Sequence, residues 1–149
     1  MRKFWTLAVC AGWFATSATA NEVGHIKVAQ GTATIQRGSE KIAAAPGMKV
    51  FAADVITTGA SSAVGVTFLD NSLISTGPNS VFAIDQYTFD STTHVGKFDG
   101  NLRKGTLAAV SGKMVKQLPE SMRIRTPSSI MGVRGTEFVV KVDEAPVNP

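Results

Sequence analysis

Apolar and polar positions alternate along most of this chain with a period of two. In residues 63–69, Val64, Val66 and Phe68 fall on one side and Ala63, Gly65, Thr67 and Leu69 on the other, the repeat of a strand whose two faces meet different surroundings. The same repeat runs through 32–37, where Thr32, Thr34 and Gln36 alternate with Ala33, Ile35 and Arg37. It returns in 137–142, where Phe138, Val140 and Val142 oppose Glu137, Val139 and Lys141. Further strands are predicted at 25–29, 41–42, 48–51, 55–58, 73–76, 81–89, 102–110 and 122–126. In the last of these Met122, Ile124 and Thr126 alternate with Arg123 and Arg125, and Pro127, which lacks an amide proton for the ladder, ends the strand.

Turn residues divide these runs at intervals of about 8 to 12 residues, the spacing of a sandwich, roll or short solenoid. Gly31-Thr32, Gly38-Ser39-Glu40, Pro46-Gly47, residues 59–62, Asp70-Asn71-Ser72 and residues 77–80 are the clearest, and residues 90–96 form a polar loop. Short polar side chains bond to nearby backbone groups in such turns. Ala43-Ala44-Ala45 has helical composition, but Pro46-Gly47 stops it at once. No stretch holds a 3.6-residue period with a cap, so an all-β body of roughly ten to twelve short strands is predicted. A compact twisted β-sandwich or jelly-roll-like roll fits best. A short β-helix is the alternative, although no fixed repeat length supports it.

The amino end reads differently. Met1-Arg2-Lys3 is positive, residues 4–15 are apolar, and Ala18-Thr19-Ala20 offers small residues to a signal peptidase. Residues 1–20 are therefore expected to be a cleaved signal peptide, with a β-domain over 21–142 and a flexible tail over 143–149. The apolar run is shorter than the ~20 residues that span a bilayer, and Val9 is bulkier than a lipobox wants before Cys10. The expected location is the periplasm or the exterior. Cys10, the one cysteine, leaves with the signal, so packing alone must hold the body. The charge falls from +4 (15 basic, 11 acidic residues) to +2 (13 basic, 11 acidic). A nearly neutral chain with scattered cations makes no electrostatic case for nucleic acid.

Gly132-Val133-Arg134-Gly135-Thr136-Glu137-Phe138 stands out before the closing strand. Two glycines flanking an arginine suit a backbone that bends sharply or passes close to another. Held there, the Arg134 guanidinium is within reach of a carboxylate such as Asp54, Asp70 or Glu137, its structural role. The alternative is recognition of an external anion or partner. Arg123 and Arg125 share one strand face, which Arg134 joins if the chain folds back after Pro127. A solvated basic face is one reading of the three; a site for an acidic peptide or cell-wall glycopolymer is the other.

Together with Asp54-Val55-Ile56-Thr57-Thr58-Gly59, Gly105-Thr106-Leu107 and Thr126-Pro127, this stretch resembles the FecR domain, named after the ferric-citrate sensor of bacterial envelopes. The resemblance runs from about residue 23 to 142, with Gly132, Val133, Arg134, Gly135, Thr136 and Phe138 as its most specific part. Asn71 stands where the family commonly has glycine, and asparagine tolerates the same left-handed turn. Sensors of that family also carry a cytoplasmic sigma-regulating segment, a membrane span and a further signalling domain. None of these is expected here, so the anti-sigma role is not carried over. The resemblance implies an all-β bacterial envelope module that stands alone or is joined to peptidoglycan-binding modules.

Catalysis needs a nucleophile with its base, paired carboxylates or a metal cluster. Beyond residue 20 there are two distant histidines, His25 and His94, and no cysteine. Asp70, Asp85, Asp90 and Asp99 fall near turns but form no twelve-residue calcium loop. The expectation is a non-enzymatic module with no cofactor or metal. An envelope protein or a peptidoglycan-type polymer would be its partner; a soluble accessory of envelope signalling is the alternative.

Overall fold

The computed structural model describes residues 21–135 and 137–143; residues 1–20, where the signal peptide is expected, Thr136 and residues 144–149 lie outside them. Twelve strands and one short helix follow in the order β1 (Glu22–Gln30), β2 (Ala33–Arg37), β3 (Glu40–Ala43), β4 (Lys49–Phe51), β5 (Val55–Thr58), β6 (Ala63–Phe68), β7 (Leu73–Thr76), β8 (Val81–Phe89), β9 (Gly96–Val110), α1 (Lys113–Gln117), β10 (Met122–Arg125), β11 (Ile130–Gly132) and β12 (Glu137–Val142). The strands form one sheet in the order β3-β2-β5-β8-β9-β7-β6-β1-β4, with β10 and β12 added to β9 and β11 to β10. Every described pairing is antiparallel except β10 with β9. That pattern is a curled antiparallel roll, and it rules out the β-helix alternative, whose coils stack in parallel.

The curl is made by β9, which serves two layers. Its residues 96–104 pair with β8, and 98–101 also with β10; its residues 105–110 pair with β12, and 107–110 also with β7. The change of layer falls at Gly105, whose φ of +90° is a conformation side chains resist. A Cβ there would collide with Ser80. Ser80 holds the corner: its Oγ accepts the Thr106 amide at 3.0 Å, and its amide donates to Thr58 Oγ1 at 2.9 Å. The motifs around Thr58 and Gly105 are thus the two sides of one structural joint.

Between the layers lies a single apolar core, with Ile26, Ile35, Ile56, Phe82, Ile84, Leu102, Leu107 and Ile124 each no more than 1% exposed. Phe98 packs edge-on against Phe68 (4.9 Å) and Tyr87 (5.6 Å), a favoured aromatic geometry. Buried polar groups are largely paired. The Asp70 carboxylate accepts from Ser72 Oγ (2.5 Å) and from the Tyr87 hydroxyl (3.1 Å), and the Gly112 amide donates to Ser72 Oγ (3.1 Å). The predicted Asp70-Asn71-Ser72 turn is therefore a plug that joins the β6–β7 hairpin to β8 and to the start of α1. Asn71 takes a φ of +66°, as its place in the turn requires.

Arg37 of β2 reaches the segment of β4, the strand at the far end of the sheet order. Its guanidinium holds Asp54 in a two-point ion pair, Nε to Oδ1 at 2.9 Å and Nη2 to Oδ2 at 2.8 Å. It also donates to the Lys49 carbonyl at 3.2 Å and lies 4.4 Å from the Phe51 ring centroid.

Candidate functional site

Several exposed cations lie on the layer built by β8, the first half of β9, β10 and β11. Strand β10 buries Met122 and Ile124 and exposes Arg123 and Arg125, as the alternation predicts. Parallel pairing sets Arg123 beside Asp99 and Arg125 beside Asn101. Residues at odd positions from 97 to 103 of β9 share that outward face, so Lys97 and Arg103 extend the row, both exposed. The carboxylate of Asp99 is 6% exposed and pairs with Lys97 Nζ at 3.4 Å. Its Oδ1 and the nearby Ser121 Oγ are buried without hydrogen-bond partners.

Sequence reasoning found Arg123 and Arg125 but missed Lys97 and Arg103: Gly96 and Gly100 weaken the strand signal around Lys97, and Arg103, inside the predicted 102–110 strand, gives no sign of which strand lies beside it. The signal was present in the polar series Lys97, Asp99, Asn101, Arg103 against Phe98 and Leu102. Gly100 is there for packing: a Cβ would stand 2.7 Å from the Phe82 ring and 3.1 Å from Ile124 Cδ1.

The chain does fold back after Pro127, with Arg123 opposite Gly132 and Arg125 opposite Ile130 in the β10–β11 hairpin. Strand β11 was not predicted, since three residues are too few to display alternation. Arg134 lies two residues beyond that register, past the end of β11. It lines a groove of about 680 Å³ with Ser111, Lys116, Leu118 and Glu120. The floor of this groove is partly apolar, with Val115 buried and Leu118 46% exposed. Arg134 thus shares a groove with Lys116 of α1 that neither Arg123 nor Arg125 lines, in a stretch where the sequence predicts no strand.

Two of the three expected structural partners of Arg134 are engaged elsewhere. Asp54 is bound by Arg37, Asp70 by Ser72 and Tyr87, and Glu137 is exposed on β12. Arg134 is exposed and makes no ion pair among the described residues. Within the same stretch Val133 is the anchor: it is 3% exposed, and its amide donates to the Met122 carbonyl at 3.0 Å. Gly135 has a φ of +110°, whereas Gly132 takes no left-handed conformation and has open space around it. The Gly132 backbone pairs with that of Arg123 in the β10–β11 hairpin. Phe138 and Val142 lean on the core and Val140 is buried, matching the predicted inward face of β12.

Asp90 and His94 are held by contacts close in sequence. Asp90 Oδ1 accepts the Thr92 and Thr93 amides at 2.8 and 3.1 Å, and these bonds hold its carboxyl below the usual range. His94 stacks on Phe89 with centroids 6.2 Å apart, and His25 is exposed on β1. Among the described residues no three His, Cys, Asp or Glu side chains group as metal ligands, and no helix is long and apolar enough to cross a membrane.

Comparison with curated proteins and with solved structures yields no match. The family model described as FecR protein matches residues 54–148, starting later than the resemblance read from the sequence. It begins on Asp54, the carboxylate that Arg37 holds, and takes in the Ser80–Gly105 corner and the β10–β11 hairpin. On that match, over more than half of its length, the chain belongs to the FecR family.

Proposed function

We propose that this protein is a non-catalytic bacterial envelope module, periplasmic or secreted, that recognises a protein partner or a cell-wall polymer. The observation that carries the reading is the row of Arg123, Arg125 and Arg103. These exposed guanidiniums lie on neighbouring strands, Arg123 and Arg125 on β10 and Arg103 on β9 two residues beyond Asn101, the partner of Arg125, and guanidiniums suit planar, bidentate recognition of carboxylates and phosphates. Arg134, in its own groove with Lys116 and Leu118, offers a second contact with a cationic rim and an apolar wall. Co-sedimentation with purified peptidoglycan at low salt tests the polymer arm. Retention that falls with added salt and is lost in Arg123→Ala/Arg125→Ala is expected; no retention at low salt removes the polymer and leaves the protein partner.

The second reading is a soluble accessory of an envelope signalling or transport-regulating system. Membership of the FecR family, which is associated with regulation of envelope signalling, favours it. Cross-linking in intact cells decides between the two: capture of a sensor or receptor that depends on Arg123 and Arg125 supports signalling, and capture of wall components supports scaffolding. The intact mass of protein from the envelope fraction tests the export reading, with a chain beginning at Asn21 as the expected result.

A further inference from the structure

Strand β12 is bonded to β9 from Glu137 opposite Val110 through Val142 opposite Gly105, and no other described strand pairs with it. Its second edge borders a cleft of about 870 Å³ that separates it from the β10–β11 hairpin, lined by Ser129, Met131, Val139 and Lys141 among others. A bare edge six residues long is a template for another strand unless charge or shape blocks it.

The outward row of β12 is Glu137, Val139, Lys141, all exposed, with Val139 at 64%. Read in the two directions, this row is anion–apolar–cation against cation–apolar–anion. A two-fold axis perpendicular to the sheet keeps outward residues outward, so two copies pair only in registers that match positions of equal parity. Centred on Val139, the antiparallel register sets Val139 against its twin and Glu137 against Lys141 twice. Centred on Val140, it sets Glu137 against Asp143, two like charges. We propose that β12 is a self-association edge, through which two copies of this chain pair antiparallel about Val139.

The rest of that face supports the choice of a second copy. Cross-strand register aligns Val139 with Ala108, Ser75, Gly65 and Val28 across β12, β9, β7, β6 and β1. This uncharged row would continue unbroken from one copy into the next, with the two ion pairs fixing direction and register. Lys141 bonds Asp143 at 2.9 Å in the single chain, with both side chains well exposed. Turning to Glu137 of the second copy exchanges one solvent-screened pair for another.

Sedimentation equilibrium of the chain expressed from Met1 and purified as the cell processes it tests the proposal. The wild type is expected to show a concentration-dependent dimer. Glu137→Lys and Lys141→Glu each place like charges at both symmetry-related contacts and should weaken it at least about tenfold. The double variant Glu137→Lys/Lys141→Glu restores opposite charges and should restore the dimer, while thermal unfolding of each variant verifies that the body is intact. A wild type that stays monomeric, or a double variant no better than the singles, overturns the proposal and assigns the edge to a different strand donor.

Discussion

Arg37 at the end of β2 and Asp54 ahead of β5 form a two-point ion pair, with contacts of 2.9 and 2.8 Å, one step beyond the Gln36–Val55 pair of the β2–β5 ladder. The guanidinium also binds the Lys49 carbonyl and covers Phe51 of β4, the last strand of the sheet. Asp54 is fully buried and also accepts the Phe51 amide at 3.0 Å. The pair is therefore a clasp between β2 and β4, two strands that do not share a ladder.

The two ends of this clasp are unequal. Arg37→Ala leaves a buried carboxylate without its counter-ion and should cost about 3 kcal/mol or more. Asp54→Asn leaves a half-buried guanidinium that can turn to water, with an acceptor still present for the Phe51 amide, and should cost about 1–2 kcal/mol. Denaturant unfolding of both variants measures the difference, and an arginine variant no worse than the asparagine one would refute the clasp.

Gly105 and Gly132 both lie in stretches that mark the family, yet they carry different loads. At Gly105 an alanine meets a left-handed backbone and the Ser80 main chain together, so Gly105→Ala should destabilise by about 3 kcal/mol. Gly132 has nothing within 4 Å of an added Cβ, and Gly132→Ala should stay within about 0.5 kcal/mol of the parent. Equal midpoints in thermal unfolding would place the corner elsewhere.

Tyr87 is the sole tyrosine of the chain, so its ionisation can be followed directly by ultraviolet absorbance. Burial, and then the adjacent Asp70 charge, push its phenol well above the ordinary value, near 10 in an unfolded chain. A proton held more tightly in the folded state contributes stability below the unfolded value, and that contribution is lost as pH rises beyond it. Tyrosinate should therefore appear only with alkaline unfolding, not as a separate earlier step. Tyr87→Phe should remove that part of the alkaline dependence, and a tyrosinate signal near pH 10 in folded protein would contradict the buried network.

How far the sequence carries depends on the range of the interaction that leaves the signal. Alternation and turn composition act over a few residues, so β5, β7 and β8 were legible to their bounds, as were the Asp70-Asn71-Ser72 turn and the inward face of β12; the predicted Gly38-Ser39-Glu40 turn is one residue shorter, since Glu40 opens β3. The first half of β9 was not, because Gly96 and Gly100 read as breaks until the groups beside them are known: the Thr88 carbonyl and Met114 for one, Phe82 and Ile124 for the other. Helix α1 is one turn between longer elements, too short to show its own period. In the candidate site the outward placing of Arg123 and Arg125 followed from alternation, whereas the addition of Lys97 and Arg103 depended on which strand β10 chose as neighbour.

By itself, then, the sequence determined which residues face inward, where the chain turns and, through its motifs, the family. Tertiary structure alone decided that β9 is shared by two layers, that the joint is Gly105 with Ser80, that Asp54 belongs to Arg37 and not to Arg134, and that among the described strands only β9 pairs with β12. Backbone ladders are made of the same amide and carbonyl groups in every strand, so the groups themselves do not specify a partner. Partners are chosen by side-chain fit across distant parts of the chain, and that information exists only once the core is packed.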